Sequence, residues 1–363
     1  MLDSDLPIDQ VTDAYRTWRE SRGKNVDDVI DMMADEIEMR SILDPGLPDD
    51  LAAAPVERAG QADLLDDRLG VLALRVTRAG QEAPEPSQLD RHQLAALVGQ
   101  YDYVIIQIPK NMSFFEDILC HLTQHLHAQS KVICGSMVKH LAPTSFDLLN
   151  KYIGKTTTSL AQKKARLVFA DFEKTAVMSP YPLSVKIDSF EIPFINHSNL
   201  FSRDKLDIGT RFFLEHIPRG DFKSILDLGC ANGIIGIKAK MTNPGASILF
   251  SDDSAMAIES ARTNYENNFQ DEATYFWTNC FEGQPGNTLD LVLCNPPFHQ
   301  GNTIGDFIAW QMFQDAYDAL KSGGTLRVIG NSHLGYQIKL KKLFGNSHIV
   351  ATNNKFIICD ARK

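Results

Sequence analysis

The chain has 363 residues, 44% apolar and 23% charged, with a formal net charge of −10. This suits two globular cores rather than one small domain. No run of about 18 apolar residues occurs, so no membrane-spanning helix is expected. Residues 1–100 hold 10 basic against 21 acidic side chains, residues 101–200 hold 10 against 8, and residues 201–363 hold 16 against 17. The acidity therefore belongs to the first segment, and local basic clusters beyond it remain able to meet nucleic-acid phosphates.

The acidic start, Met1-Leu2-Asp3-Ser4-Asp5, lacks the basic and apolar regions of a secretory signal. The six cysteines at 120, 134, 230, 280, 294 and 359 are scattered, without the close pairing of a metal or redox site. They read as reduced, buried thiols of a cytoplasmic protein that holds no metal. Amphipathic helices fit 11–21 and 26–39, a strand fits 71–76, and Gly80 to Pro86 reads as an exposed loop.

From residue 101 a repeat emerges. Tyr101-Asp102-Tyr103-Val104-Ile105-Ile106-Gln107-Ile108-Pro109 resembles Leu289-Asp290-Leu291-Val292-Leu293-Cys294-Asn295-Pro296-Pro297. Helices are predicted next at 114–127 and 307–320, then strands at 131–135 and 325–330. From Asp102 to Gly154 is 52 residues, from Asp290 to Gly345 is 55, and a lysine lies ten residues beyond each glycine. Such spacing points to two copies of one α/β unit. The first copy has Gln107-Ile108-Pro109-Lys110 where the second has Asn295-Pro296-Pro297-Phe298, so it is expected to be catalytically empty. The organisation expected is an acidic segment 1–80, a degenerate domain 81–172, a linker with a hairpin 173–200, and a catalytic domain 201–363.

In the catalytic domain strands at 224–228, 247–251, 274–278, 289–294, 325–330 and 355–360 alternate with helices at 234–242, 254–268 and 304–320. The alternation predicts an α/β fold with a doubly wound, mainly parallel sheet. The first strand runs into Asp227-Leu228-Gly229-Cys230-Ala231-Asn232-Gly233. This acidic, glycine-punctuated turn is not the dinucleotide Gly-x-Gly-x-x-Gly pattern. Its glycines admit a close ligand and the following helix presents unpaired amides. Asp227 with those amides is expected to hold the amino acid part of S-adenosylmethionine (SAM), and Gly229, Cys230 and Gly233 are cofactor-binding candidates. Asp252 or Asp253, ending the next strand, is the candidate acceptor for the ribose hydroxyls, and both equally suit a helix N-terminus. Asn279, ending the third strand, is the candidate reader of the adenine edge.

The tetrad 295–298 lies 68 residues after Asp227. An exocyclic amine on a purine is a poor nucleophile because its lone pair is delocalised into the ring. The Asn295 side-chain oxygen and the Pro296 carbonyl are placed to accept its two N–H bonds, Pro297 stiffens the loop, and Phe298 is placed to stack on the base. Methyl transfer is then a matter of positioning and electrostatics. Chemically the tetrad admits guanine-N2, adenine-N6 and protein-glutamine targets. Clusters including Lys155, Lys163, Lys164 and Arg166, and Lys339, Lys341 and Lys342, read equally as a solvated face or as contacts to RNA phosphates, and with the extra domain they favour RNA among these targets.

Further strings carry a resemblance: Thr156-Thr157-Thr158-Ser159-Leu160-Ala161, Lys163-Lys164-Ala165-Arg166-Leu167, Phe201-Ser202-Arg203 with Leu206-Asp207-Ile208-Gly209, residues 295–300, and Ala351-Thr352-Asn353-Asn354-Lys355-Phe356. From about residue 100 onward the chain resembles the large-subunit ribosomal RNA guanine-N2 methyltransferase family. The small-subunit sister family shares Phe-Ser-Arg and Asn-Pro-Pro-Phe-His but not the threonine run. The resemblance implies tandem methyltransferase-like folds with a degenerate first copy, SAM as cofactor, and methylation of one guanine in 23S rRNA. It also implies that 201–209, with Phe201, Asp207 and Gly209, closes the cofactor site. Two departures stand out: Ala231 occupies a position that is usually glycine, where alanine fits if φ is negative and otherwise weakens cofactor binding, and residues 1–100 lack the family's opening strands. The alternatives are a 16S guanine-N2 enzyme and a catalytically impaired RNA-binding or ribosome-assembly factor.

Overall fold

The computed structural model describes residues 97, 99–162, 164–297 and 303–363, together with the backbone of strands β1 (Val56–Ala59) and β2 (Val71–Val76). The helices expected at 11–21 and 26–39, the loop from Gly80, and the side chains of Lys163 and Phe298 lie outside the described residues. The chain divides into two units, Met1–Pro180 and Tyr181–Lys363. Among the described residues no helix is long and apolar enough to cross a membrane.

In the first unit β3 (Tyr101–Gln107) leads through α1 (Met112–Thr123) into β4 (Leu126–Met137). Asn111 caps α1, its Oδ1 accepting from the Ser113 and Phe114 amides at 3.1 and 3.2 Å. Helix α2 (Pro143–Tyr152), β5 (Thr156–Thr158) and β6 (Ala165–Asp171) complete a sheet of order β1-β2-β3-β4-β6-β5. Within it only β3 and β4 run parallel; the other pairs are antiparallel. This sheet is mostly antiparallel, not the doubly wound parallel array expected of it, because β2 enters beside β3 from the opposite end.

The second unit opens with the antiparallel pair β7 (Leu183–Val185) and β8 (Phe194–Asn196), then α3 (Ile208–Leu214). Strands β9 (Ser224–Leu228), β10 (Ser247–Asp252), β11 (Thr274–Trp277), β12 (Leu289–Cys294), β13 (Leu320–Asn331), β14 (His348–Thr352) and β15 (Phe356–Arg362) form one sheet. Its order is β11-β10-β9-β12-β13-β15-β14, parallel as far as β13 and antiparallel beyond. Helices α4 (Ile234–Thr242), α5 (Ala255–Asn268), α6 (Thr303–Ala319) and α7 (Tyr336–Phe344) connect the strands.

Alternate strand residues bury opposite faces of this sheet. Ile225, Phe250, Leu291 and Leu293 share one core with Ile237, Ala261 and Phe213. Leu226, Leu228, Val292 and Val328 share the other with Met312, Phe313 and Leu340. Helices thus cover both faces, as a doubly wound sheet requires.

Two predicted boundaries move. His127 belongs to β4 and not to the helix before it, and Leu320 with the following Lys321-Ser322-Gly323-Gly324 begins β13 rather than ending a helix. Both twelve-residue strands loop out early, with register jumps between Tyr101 and Tyr103 and between Leu289 and Leu291 on their partners. The polar Lys321-Ser322-Gly323-Gly324 run reads as a helix stop because it breaks apolar periodicity, yet the backbone carries it within β13.

Candidate active site

Parallel pairing brings three loops to one edge of the second sheet. Leu228 at the end of β9 lies between Ser251 of β10 and Cys294 of β12. The next residues, Gly229, Asp252 and Asn295, therefore leave the sheet at one level, where doubly wound folds place their ligands.

The turn after β9 is sharply folded, with φ of +74° at Gly229, +48° at Ala231 and +79° at Gly233. Ala231 is therefore in the left-handed region, not at the negative φ where alanine fits without strain, and carries the strain a side chain brings there. A Cβ on Gly233 would come within 2.9 Å of the Ala261 Cβ, so glycine allows α4 to pack on α5. The turn amides are already engaged. Gly229 and Cys230 both donate to the Ser251 carbonyl, at 2.8 and 3.0 Å, and Ala231 donates to Asp252 Oδ2 at 2.9 Å. The amides of Gly229 and Cys230 thus do not stand open to a ligand carboxylate.

What the segment leaves unsatisfied is a buried acceptor. Asp227 is fully buried; its Oδ2 accepts from the Gly236 amide at 2.8 Å, while Oδ1 has no partner among the described residues. Burial pushes this carboxyl well above the usual carboxylate range, with Asp252 adding repulsion. A buried, half-satisfied carboxylate calls for a cationic or donating ligand group. The ammonium of SAM's amino acid part fits that requirement.

Three buried asparagines tie the β8 segment to this turn. Asn232 Nδ2 donates to Asn196 Oδ1, and Asn264 Nδ2 donates to the Asn232 and Ile195 carbonyls, all at 3.0 Å. Asn196 Nδ2 in turn holds the Arg203 carbonyl at 2.7 Å. The stretch carrying Phe201 is anchored this way, and the Phe201 ring itself is 60% exposed.

Asp252 takes the Ala231 amide on Oδ2 and the Ser254 amide on Oδ1 at 2.9 Å each. Burial first, then the neighbouring Asp253, raises its carboxyl to about 7. Asp253 is exposed, and the Trp277 indole donates to its carbonyl at 3.3 Å. Asn279 is exposed beyond β11, its amide 3.4 Å from Glu282 Oε2. The Cys230 thiol is buried and pushed well above its ordinary range, so it is no nucleophile.

Asn295 is half-buried; its Nδ2 donates to Thr210 Oγ1 at 3.0 Å, while its Oδ1 is buried and has no partner among the described residues. Pro296 is buried and Pro297 exposed. Asp207 is the N-cap of α3, with Oδ2 accepting from the Thr210 amide at 2.8 Å and from Thr210 Oγ1 at 3.3 Å. Gly209 is required there, because a Cβ would come within 3.0 Å of both Asp207 Oδ2 and the Phe356 ring. Sequence reasoning stopped at Gly209 and missed Thr210. The available signal was an Asp-x-x-Thr string, a cap followed by a side chain one turn on.

Of the basic candidates, Lys155, Lys164, Lys341 and Lys342 are exposed, and Arg166 and Lys339 are half-buried. Lys339 lies over the Tyr336 ring and Lys342 over the Trp310 ring. All six cysteines are free and buried, and among the described residues no three His, Cys, Asp or Glu side chains gather as a metal site would require.

Comparison with known proteins adds relatives to this geometry. Residues 191–360 match the methyltransferase small domain, and residues 63–174 match the RLMG N-terminal domain. The match reaches back to residue 63, earlier than residue 100, where the resemblance was read to begin. The chain is 42% identical over 323 residues to the ribosomal RNA large subunit methyltransferase G of Ectopseudomonas mendocina (strain ymp), covering 87% of this chain and 86% of that protein. It is 43% identical over 304 residues to the protein of that name from Pseudomonas aeruginosa (strain UCBPP-PA14), covering 82% and 80%. Among solved structures, the T. thermophilus 16S rRNA N2 G1207 methyltransferase (RsmC), in complex with AdoMet and guanosine, aligns with a TM-score of 0.63 at 20% identity. That alignment covers 74% of this chain and 75% of that one, and is a likeness of fold.

Proposed function

The chain belongs to the ribosomal RNA large subunit methyltransferase G family, and from that premise we propose that it methylates the exocyclic N2 of one guanine in 23S rRNA, with Asn295 holding the amine. The observation that carries this reading is the buried Asn295 Oδ1, an acceptor without a partner among the described residues at the edge where the SAM turn ends.

SAM, when bound, supplies an electrophilic methyl group on its sulfonium. Asp227 Oδ1 is the acceptor for its ammonium, Asp252 with Asp253 for its ribose hydroxyls, and Asn279 reads the adenine edge. Phe201, Asp207 and Gly209 belong to the segment that covers the cofactor. Asn295 Oδ1 and the Pro296 carbonyl accept the two N–H bonds of the guanine amine. That pair draws the nitrogen toward tetrahedral geometry and frees its lone pair for the methyl carbon. The proline-rich loop, with φ fixed at two successive residues, keeps the acceptors from drifting. Phe298 stacks on the base once it is rotated out of the RNA. After transfer the cationic nitrogen gives up a proton to water, so no strong general base is needed.

Lys155, Lys163, Lys164, Arg166, Lys339, Lys341 and Lys342 are assigned to RNA phosphates. The segment 81–172 is assigned as the catalytically empty copy, 173–200 as a linker and 201–363 as the catalytic domain. An rRNA substrate and six free thiols suit a cytoplasmic location.

The test is radiolabelled methyl transfer by the full chain to in-vitro transcribed 23S and 16S rRNA, followed by nucleoside digestion. Label in N2-methylguanosine from 23S rRNA alone is expected. Label in 16S rRNA or in an adenine, or no transfer at all, overturns the assignment.

A further inference from the structure

We propose that Thr210 is a positioning residue that decides which end of the Asn295 amide faces the substrate. This deepens the reading above and rests on it. An asparagine side chain is nearly symmetric in shape, but one end accepts hydrogen bonds and the other donates. Only the oxygen end suits an amine that must give up two N–H bonds. If the amide turned over, its own NH2 would oppose the amine, donor against donor.

The neighbours of Asn295 fix this choice. Thr210 is 6% exposed, and its hydroxyl lies between two partners. Its single proton goes to Asp207 Oδ2, at 3.3 Å, because a carboxylate is the stronger acceptor. The Thr210 Oγ1 lone pairs are then left to accept Asn295 Nδ2, at 3.0 Å. Asp207 is held in turn as the cap of α3 through the Thr210 amide, at 2.8 Å. The chain of bonds therefore has one direction, from Asn295 to Thr210 to Asp207. It leaves Asn295 Oδ1 as the end without a partner among the described residues. The opposite orientation would set Asn295 Oδ1 against a hydroxyl whose proton is already given away. Two acceptors would then face each other.

The order of two variants separates this role from packing. T210V keeps the shape and removes the hydroxyl; T210S keeps the hydroxyl and removes a buried methyl. The full chain of each is measured under single-turnover conditions with in-vitro transcribed 23S rRNA, and SAM binding is measured by calorimetry. T210V is expected to lower the methyl-transfer rate about tenfold or more, the scale of one hydrogen bond made to the transition state, with SAM affinity and the KM for RNA within about twofold. T210S is expected to restore the rate to within about threefold of the parent. If T210S is the slower of the two, or if T210V weakens SAM binding and transfer together, Thr210 is only a packing residue and the proposal fails. N295A is run beside them. If N295A transfers at the parental rate, the assignment of Asn295 itself is wrong. If N295A is inactive while T210V is fully active, only the role of Thr210 is wrong.

Discussion

The two units share a ladder and differ in the strand beside it. In the first, β3, β4, β6 and β5 pair as parallel, antiparallel and antiparallel; in the second, β12, β13, β15 and β14 do the same. Both long strands have twelve residues and both closing strands seven. Beside β12, however, stands the parallel β9, whose carboxyl end delivers Asp227 and its turn to the edge where Asn295 emerges. Beside β3 stands β2, antiparallel to it and paired antiparallel with β1. The carboxyl end of a strand running that way lies at the far side of the sheet from Gln107, since Val71 at its start pairs with Ile106. The connections differ as well. Four residues separate β3 from α1, and eight separate β12 from α6. The shared ladder is a scaffold, and cofactor chemistry requires the neighbouring parallel strand and the longer loop.

Changes at the turn after β9 sharpen this contrast. D227N keeps the shape and the bond to the Gly236 amide but sets an NH2 group toward the ammonium of SAM. SAM affinity is expected to fall roughly 30-fold or more, by calorimetry, since hydrogen bonds to charged groups carry about 1.5–3 kcal/mol. An unchanged affinity would remove Asp227 from the cofactor site.

The Asp252 carboxyl, raised to about 7 in the protein alone, gives a pH signature. Ribose hydroxyls need it ionised, so SAM affinity is expected to rise about tenfold from pH 6 to pH 8 and to level off above. D252N should flatten that profile. In stability the sign is opposite. The unfolded chain ionises the group near 3.8 and the fold only near 7, so its contribution to the cofactor-free protein is present at low pH and lost as pH rises through about 7. A pH-independent affinity in the parent would contradict the ribose assignment.

Ala231 offers the smallest effect. At φ +48° a glycine is unstrained, so A231G is expected to stabilise the second unit by about 1 kcal/mol. A rise of about 2–4 °C in its melting midpoint follows for a domain of this size. A fall instead would mean that the turn is not strained.

Much of this was legible in the residues. Strand β12 and helix α4 fall where apolar runs and glycine turns place them, because buried parallel strands are continuous apolar segments. The repeat was legible as spacing from Asp102 and Asp290 onward. The direction of β2 was not, since Val71–Val76 reads the same whichever way it pairs. Nor was the use of the turn amides. That Gly229 and Cys230 both donate to Ser251 depends on which strand lies alongside. The cap string pointed to Thr210 itself, but its bond to Asn295 was not legible for the same reason, since the two are 85 residues apart.

The contrast between the units is tested most directly by one paired measurement, the single-turnover methyl-transfer rates of N295A and Q107A on unmodified 23S rRNA. The two residues stand at matching strand ends of the shared ladder. N295A is expected to lose about 100-fold or more in rate with SAM affinity retained, the scale of removing a preorganised group at a reacting centre, while Q107A stays within about twofold of the parent. Equal rates for the two variants would contradict the account.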